Sequence, residues 1–333
     1  MPRRAIVLMN LGGPDSPAAI RPFLYNLFSD PAILRLPTPL RVPLAWLVAA
    51  RRAPLARRIY QHLGGGSPLL ANTQAQAHAL AVLLGPETRC FVAMRYWHPL
   101  TEAVVRAVAA WRPDEILLLP LYPQFSTTTT ESSLSAWRRA ATALGLDIPT
   151  RSVRSYPAAP GFVEAVAALI RPRLDDVGGS TRLLFSAHGL PQRIVLAGDP
   201  YPEEVECTAA AVIAALGRLG CAGLDWRVCY QSRVGPLPWI GPSIDDEVRR
   251  AGQDGAALVV APISFVSEHS ETLVELDIEY RRLAEQCGVR DYRRVPTVGT
   301  DARFIGALAA LVRESETSPA PGAAALAALG AEA

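Results

Sequence analysis

Short apolar runs of strand length alternate with longer stretches of helical period along most of this 333-residue chain. The six clearest runs are AIVLMN (5–10), CFVAMR (90–95), EILLLP (115–120), RLLFSA (182–187), WRVCYQ (226–231) and ALVVAPIS (257–264). Continuous apolar strands separated by helices are typical of parallel sheets that are covered by helices on both faces. The sequence therefore predicts an α/β fold.

The strand–helix units divide most naturally into two halves. Six units, with further strand candidates near 150–155 and 292–295, are more than one small sheet needs, and 333 residues suit two domains. We expect two Rossmann-like, doubly wound parallel-sheet domains and a terminal helix that packs back on them, at 1–157, 158–300 and 301–316. The last residues, 317–333, are rich in Ala, Pro and Gly and are expected to form a disordered tail.

Composition excludes several classes of protein. A net charge of +2 gives no electrostatic reason to bind nucleic acid. Five cysteines at irregular spacing indicate free thiols in a reducing cytosol, and no run approaches the ~20 apolar residues of a membrane span. Residues 40–55 mix apolar side chains with arginines, which suits either a membrane surface or a helix covering a cleft. We expect a cytoplasmic protein, with 40–55 as the place of any peripheral contact with the inner membrane face.

Polar or glycine-containing segments follow each predicted strand. Because the carboxyl ends of parallel strands meet at one edge of a sheet, these segments are expected to line a single cleft. They are LGGP (11–14), RYWHP (95–99), LYPQ (121–124), SAHGLP (186–191), YQSR (230–233) and SEHSE (267–271).

The last of these segments begins a row of acids: Glu268, Glu271, Glu275 and Glu279. On an α-helix this spacing places all four carboxylates on one face, where like charges at i,i+4 cost about 0.2–0.5 kcal/mol per pair. A solvated helix face is the ordinary interpretation. His269 within the row and the preceding strand favour a cation site, for a metal such as iron, zinc or cobalt.

His188 is the second candidate, because the glycine and proline of SAHGLP predict a tight turn that projects its side chain. A lone histidine is about as often structural as catalytic in this position. The metal signatures HExxH and paired CxxC are absent from the sequence. The glycine run 64–66 lacks the GK[ST] ending of a phosphate loop, which weakens a nucleotide-binding interpretation.

Long ordered motifs occur along nearly the whole chain, namely LMNLGGPDS, GGGSP, MRYWHPLTE, LYPQFSTTTTESS, FSAHGLP, GDPYPEE, YQSRVGPLPWIGPS and FVSEHSETLVELDIEY. They carry a resemblance to the ferrochelatases, the terminal enzymes of haem synthesis. It implies a porphyrin cleft between two Rossmann-like domains, and insertion of Fe²⁺ into protoporphyrin IX with release of two protons.

The resemblance also implies roles for individual residues. His188 matches the family's active-site histidine, Glu271 its partner carboxylate and His269 the histidine of the same motif, so His188 and Glu271 are expected to contact the metal. Glu268, Glu275 and Glu279 are candidates for a relay of metal or protons. The implied lining of the porphyrin pocket is Leu11, Arg52, Tyr60, Ser67, Arg95, Tyr96, Tyr122 and Trp239.

One departure concerns the [2Fe–2S] cluster that some ferrochelatases carry. Thr127 stands where animal members have a cluster cysteine, and no cysteine follows Cys287. Cys207, Cys221 and Cys229 would permit a cluster inside the second domain, although two of them suit small buried thiols better. We predict no cluster and no permanently bound cofactor, with Fe²⁺ acting as a substrate.

Other functions remain open at this point. The closest alternative is insertion of iron into coproporphyrin III, and a cobalt or nickel chelatase for another tetrapyrrole is a weaker one. A porphyrin or haem carrier would need only the aromatic pocket, and His188 with Glu271 argues against it. The resemblance leaves the choice between a monomer and a homodimer open.

Overall fold

A computed structural model describes residues 2–233, 235 and 237–317 of the protein. Within them lie two four-stranded sheets in which every neighbouring pair of strands is parallel. The first is ordered β2-β1-β3-β4 and the second β6-β5-β7-β8. The strands are β1 (Arg4–Asn10), β2 (Thr88–Met94), β3 (Glu115–Pro120), β4 (Thr150–Ser152), β5 (Thr181–His188), β6 (Asp225–Gln231), β7 (Ala257–Pro262) and β8 (Tyr292–Arg294).

Helices connect the strands and confirm the α/β alternation that the sequence predicted. They are α1 (Ile20–Phe28), α2 (Thr38–Gln61), α3 (Leu69–Leu84), α4 (Thr101–Trp111), α5 (Thr130–Leu144), α6 (Pro160–Leu174), α7 (Gln192–Leu196), α8 (Tyr201–Arg218), α9 (Ile244–Gln253), a π-helix (Glu271–Glu279), α10 (Tyr280–Gln286) and α11 (Ala302–Thr317). The π-helix differs from the expected α-helix, and it carries Glu271, Glu275 and Glu279 of the acidic row.

Alternate residues of the central strand β1 point into two different cores. Ile6 and Leu8 belong to a large cluster with β5 and helices α6, α8 and α11, whereas Val7 and Met9 pack against α4 and α5. All four side chains are at most 1% exposed. Burial on both faces explains why this strand reads as an unbroken apolar run.

The large cluster joins the two sheets, since it contains Leu8 of β1 and Phe185 of β5. We propose the boundary at 157/158, between β4 and the start of α6, as the sequence predicted. The expected tail from 317 lies outside the described residues, apart from Thr317 itself, which ends α11.

The order of the second sheet determines which loops meet. His188 pairs in register with Gln231 of β6, and Ser186 pairs with Pro262 of β7. The segments that follow these three neighbouring strands therefore lie side by side at one sheet edge.

Candidate active site

The ends of β5, β6 and β7 bring one histidine and one glutamate into direct contact. His188 ends β5, and Glu271 begins the π-helix nine residues after β7. The Nδ1 atom of His188 lies 3.0 Å from Oε2 of Glu271. The His188 side chain is 39% exposed, so a ligand can reach the imidazole.

His269 lies close to the same carboxylate oxygen of Glu271. Its Nε2 atom is 3.6 Å from Glu271 Oε2, and its Nδ1 atom is 3.0 Å from the carbonyl oxygen of Ser267. The ring also packs on Phe265, with 4.7 Å between ring centroids. Because the Ser267 carbonyl oxygen can only accept, Nδ1 of His269 is the donor in this contact. Nε2 is then the ring nitrogen that faces Glu271.

The two histidines set the charge of Glu271. Burial opposes ionisation, but the fields and hydrogen bonds of His188 and His269 outweigh it and hold the pKa of Glu271 well below its usual range. Burial likewise lowers the pKa of His188, and the Glu271 carboxylate overrides this, so that the pKa of His188 is raised. The pair therefore favours a charged carboxylate beside an imidazole whose pKa is raised.

Glu275 lies one step further along the π-helix in a different environment. Burial and the nearby charge of Glu271 raise the pKa of Glu275 to about 7. Its Oε2 atom accepts hydrogen bonds from Ser232 Oγ at 2.6 Å and Gln231 Nε2 at 2.9 Å. Ser232 has φ +63°, a left-handed conformation that is uncommon for serine and that clusters at functional sites.

The π-helix corrects the expected alignment of the acidic row. The Tyr280 amide donates to the Glu275 carbonyl five residues earlier, so the helix is wider than the α-helix on which the alignment was based. Glu268 precedes the helix and does not share its face. Its carboxylate accepts hydrogen bonds from Arg294 Nη1 at 2.6 Å and from the Thr297 amide at 3.0 Å.

Glu279, the last member of the row, is exposed at the end of the π-helix. Glu271, Glu275 and Glu279 thus remain in a series that runs from the His188 pair to the surface. Glu268 is bound in a separate network.

Arg95 and Tyr96 belong to a buried cluster in the first half of the chain. Arg95 Nη2 lies 2.7 Å from Oδ2 of Asp30, and the Tyr96 hydroxyl donates to the same oxygen at 2.8 Å. Ser132 bonds to that oxygen as well. Tyr96 is 0% exposed and Asp30 5% exposed. Tyr96 is therefore fully buried and presents no surface to a ligand.

Leu11 and Ser67 lie in two loops that touch. The Ser67 amide donates to the carbonyl of Pro14 at 2.7 Å. A Cβ atom on Gly13 would come within 2.6 Å of Ser67, and one on Gly66 within 2.7 Å of the Asp15 carbonyl oxygen. Gly13 and Gly66 are needed for the close approach of the loops, which gives the last glycine of the run 64–66 a packing role.

Arg52 and Tyr60, both on α2, lie near the acidic cluster. Burial lowers the pKa of Arg52, and the charge of Glu275 opposes this shift. Burial raises the pKa of Tyr60 to about 12, with a hydrogen bond from Ser270 acting against it. Helix α2 of the first half thus reaches the π-helix of the second half.

Trp239 and Tyr122 complete the expected lining. Trp239 makes an isolated bridge with Pro191, and a Cβ atom on Gly189 would lie 3.2 Å from its ring, which places the indole against the loop that follows His188. Burial raises the pKa of Tyr122, whose hydroxyl oxygen is buried near Ser133. The hydroxyl end of Tyr122 therefore packs within the first half, while the residue as a whole is partly exposed.

Thr127, at the position where the resemblance places a cluster cysteine, binds within the protein. Its amide and its hydroxyl both donate to Asp199 Oδ2 at 2.7 Å. Burial raises the pKa of the Cys229 thiol, and all five cysteines are free. Across the described residues no group of three or more His, Cys, Asp or Glu side chains is arranged to hold a metal ion.

Sequence reasoning missed four residues that shape this site. Gln231 and Ser232 were placed at the cleft edge without a role, and their position at the end of β6 was the available signal. Tyr201 is buried, and its hydroxyl lies 3.1 Å from Ser264 Oγ. Asp30 has no motif around it and pairs with Arg95, which is 65 residues away in sequence.

The fold defines the class of the protein. SirB from Bacillus subtilis with Fe³⁺ superposes with a TM-score of 0.54 at 13% identity, covering 95% of this chain and 96% of that one. CbiX, the terminal enzyme for biosynthesis of sirohaem in denitrifying bacteria, superposes with a TM-score of 0.51 at 17% identity, covering 94% and 99%. At these identities the likeness shows the fold, which is that of the chelatases.

Sequence comparison identifies the family within this class. The sequence model of the family described as "Ferrochelatase" matches residues 3–316. Ferrochelatases of Caulobacter vibrioides and Phenylobacterium zucineum are both 55% identical, covering 96% and 92% of this chain and 91% and 89% of their own. The Pelagibacter ubique ferrochelatase is 45% identical over 93% of the chain. The chain belongs to the ferrochelatase family, whose members are metal chelatases.

Proposed function

We propose that the protein inserts Fe²⁺ into protoporphyrin IX to form protohaem, the last step of haem synthesis. The observation that carries this proposal is the 3.0 Å contact between His188 and Glu271 at an accessible sheet edge. Family membership supplies the reaction type, and the paired imidazole and carboxylate supply groups that can accept protons and hold a divalent cation.

His188 is the proposed acceptor of the porphyrin N–H protons. With Nδ1 donating to the ionised Glu271, Nε2 is the nitrogen left to take a proton. Glu271 then stabilises the imidazolium that forms, as a carboxylate does behind a catalytic histidine. The raised pKa of His188 makes it a stronger base for this transfer.

Iron acts as a substrate that passes through the site. Glu271 provides one of its ligands, and Nε2 of His188 provides a second until that nitrogen takes a proton. The porphyrin nitrogens supply the rest as the metal enters the ring. A site with few protein ligands suits release of the metal into the macrocycle, since a full set of protein ligands would retain it. Glu275 and Glu279 are the proposed path between this pair and the surface.

The pocket wall holds the macrocycle. Arg52, Tyr60 and Trp239 approach the His188–Glu271 pair, and a flat apolar ligand bound there gains from aromatic contacts and from cations near its carboxylates. Leu11, Ser67 and Arg95 lie on the first-half side of the same wall, with Tyr96 and Tyr122 behind it. We propose that no [2Fe–2S] cluster takes part, because Thr127 is bonded to Asp199 where a cysteine ligand would be needed.

Anaerobic Fe²⁺ insertion by the purified protein tests the proposal. Protoporphyrin IX and coproporphyrin III are compared side by side, with metalloporphyrin followed by absorbance. Faster turnover of protoporphyrin IX supports the proposal, whereas faster turnover of coproporphyrin III keeps the chemistry and changes the substrate. Tight binding of either porphyrin without metalation contradicts the enzyme and leaves a carrier.

Helix α2 suggests peripheral contact with a membrane from the cytoplasmic side. No described helix is long and apolar enough to cross a bilayer, but α2 exposes large apolar side chains among its arginines, including Leu40 (62% exposed) and Trp46 (57%). Such a surface binds anionic lipid by apolar insertion and by charge. Co-sedimentation with anionic vesicles, compared between wild type and Trp46→Ser, tests this, and sedimentation equilibrium distinguishes a monomer from a homodimer.

A further inference from the structure

The short edge strand β8 carries two side chains that hold the π-helix. Tyr292 and Arg294 are two residues apart, so they project from the same face of the strand. The Tyr292 hydroxyl donates to the carbonyl of Leu276, in the middle of the π-helix, at 2.7 Å. This tyrosine is 6% exposed, and the hydrogen bond is buried.

Arg294 binds two carboxylates, one before the π-helix and one within it. Its Nε and Nη2 atoms donate to the two oxygens of Asp277 at 2.9 and 2.6 Å, in a bidentate pair. Its Nη1 atom donates to Glu268 at 2.6 Å. The side chain is 11% exposed. The guanidinium therefore spans the stretch of chain that contains Glu271 and Glu275.

Other bonds fix the position of Glu268 itself. Asn72 of α3 donates to its backbone carbonyl at 3.0 Å, and the Thr272 hydroxyl donates to its carboxylate at 2.5 Å. The Thr297 amide binds the same carboxylate. Arg294 thus links Asp277 of the π-helix to Glu268, which is itself held in place by other bonds. This link fixes the position of the π-helix.

The π-helix needs such partners, because i→i+5 hydrogen bonding is rare and usually occurs as a single turn inside an α-helix. Here it extends over Glu271–Glu279. A return to i→i+4 bonding would rotate Glu275 about the helix axis relative to Glu271. That rotation would take the Glu275 carboxylate away from Gln231 and Ser232 while Glu271 stayed on His188.

We propose that Arg294 and Tyr292 are positioning residues that maintain the π-helix, and so keep Glu271 and Glu275 at their separate partners for iron delivery. This proposal rests on the proposed roles of Glu271 and Glu275. Arg294 and Tyr292 themselves contact neither His188 nor Glu271 through any hydrogen bond of the described chain. Loss of outer partners of this kind typically lowers metal affinity or activity about 10–100-fold.

The matched pair for the test is Arg294→Met and Arg293→Met. Arg293 is the neighbouring arginine on the opposite face of β8, where it bonds to Asp291 and to the carbonyl of Asp175. Anaerobic rates are measured with Fe²⁺ varied at saturating protoporphyrin IX and then with the porphyrin varied at saturating Fe²⁺. Porphyrin affinity is measured separately by fluorescence quenching.

We expect Arg294→Met to lower kcat/KM for Fe²⁺ at least about tenfold with the porphyrin Kd unchanged. Arg294→Lys should recover part of the loss, because a lysine keeps the charge but not the bidentate geometry. Arg293→Met should behave as the wild type. Iron kinetics in folded Arg294→Met equal to those of Arg293→Met, or an equal loss for iron and porphyrin, would overturn the proposal.

Tyr292→Phe provides a second test if Arg294→Met does not fold, because this variant loses only a single hydroxyl. A smaller fall in kcat/KM for iron supports the proposal, and wild-type iron kinetics overturn it. Glu271→Gln distinguishes failure of the positioning role of β8 from failure of the role proposed for Glu271. If Glu271→Gln is inactive and both β8 variants are normal, only the positioning role fails. If Glu271→Gln retains wild-type turnover, the assigned role of Glu271 fails and the positioning role fails with it. If the wild type itself inserts no Fe²⁺, the proposed function fails.

Discussion

The charged groups near the strand ends of the two sheets have contrasting environments, although the two sheets have the same strand order. Beyond β1 and β2, Asp30 is buried against Arg95, Tyr96 and Ser132, and these partners outweigh burial and lower the pKa of Asp30. Beyond β5 and β7, Glu271 and Glu275 lie close together, and their pKa values move apart. One edge therefore has a fixed charge and the other has groups that can exchange protons.

Under the proposed function, this difference gives the two sheet edges different roles. A carboxylate with three strong donors stays ionised throughout the physiological range and gives a rigid wall. A second carboxylate close to a first one titrates near neutrality, which is what proton transfer and transient metal binding require. The following experiments alter one edge or the other, beginning with the largest effect.

Replacing Glu271 should have the largest effect on catalysis. Glu271→Gln removes the anion that makes His188 basic, so kcat for iron insertion should fall about 10²–10⁴-fold. Porphyrin binding should persist, because the aromatic wall is intact. Glu285→Gln, at an exposed position of α10, is the matched control. A parallel loss of porphyrin affinity would show instead that Glu271 shapes the pocket.

Replacing Asp30 should mainly affect stability. Asp30→Asn leaves Arg95 without its buried counter-ion, which typically costs about 3–5 kcal/mol of unfolding free energy. The shape of the pH–rate profile should not change, because Asp30 does not titrate in the active range. Asp301→Asn, which breaks an ion pair with the exposed Arg303, should cost no more than about 1 kcal/mol. Urea denaturation measures both, and a shifted pH profile in Asp30→Asn would erase the contrast between the two edges.

The titration of Glu275 should appear in the pH dependence of iron use. Its pKa is raised to about 7, so the carboxylate is protonated below that pH and ionised above it. Only the ionised form attracts Fe²⁺, and therefore KM for iron should fall as the pH rises through about 7. Glu275→Gln should flatten this dependence. A profile that is the same in wild type and Glu275→Gln would assign the titration to another group.

Ser232→Ala should give the smallest effect. The Ser232 hydroxyl donates to Glu275 at 2.6 Å and favours its ionised form. Loss of this bond should raise the pKa of Glu275 further and move the iron profile to higher pH, with kcat at the plateau little changed. A shift to lower pH would contradict the assigned direction of the hydrogen bond.

General rules of parallel sheets predicted that His188 and Glu271 would lie at one sheet edge, whereas their direct pairing was implied by the resemblance to ferrochelatases. Apolar runs identified β5 and β7 as buried strands, and the strand-end rule placed the residues after them at one edge. The same rule placed Gln231 there, but nothing in the sequence specified that its amide would bind Glu275. Residue types at a sheet edge are predictable in this way, whereas their individual partners depend on side-chain packing.

The π-helix and the burial of Tyr96 were harder to predict from the sequence. The segment from Glu271 to Glu279 has no local signal for i→i+5 bonding, and the contacts from Tyr292 and Arg294 come from a distant edge strand. The resemblance to ferrochelatases implied that Tyr96 lines the porphyrin pocket. It turns inward because Asp30 offers its hydroxyl a buried acceptor. Both outcomes depend on residues far away in sequence.

The most direct test of the division between the two edges is a single-turnover experiment on His188→Ala. Protoporphyrin IX is bound first without oxygen, Fe²⁺ is then mixed in, and metalation is followed by absorbance. We predict wild-type porphyrin affinity and insertion at least about 100-fold slower than in the wild type. Insertion at close to the wild-type rate would contradict the assignment of proton transfer to the second edge.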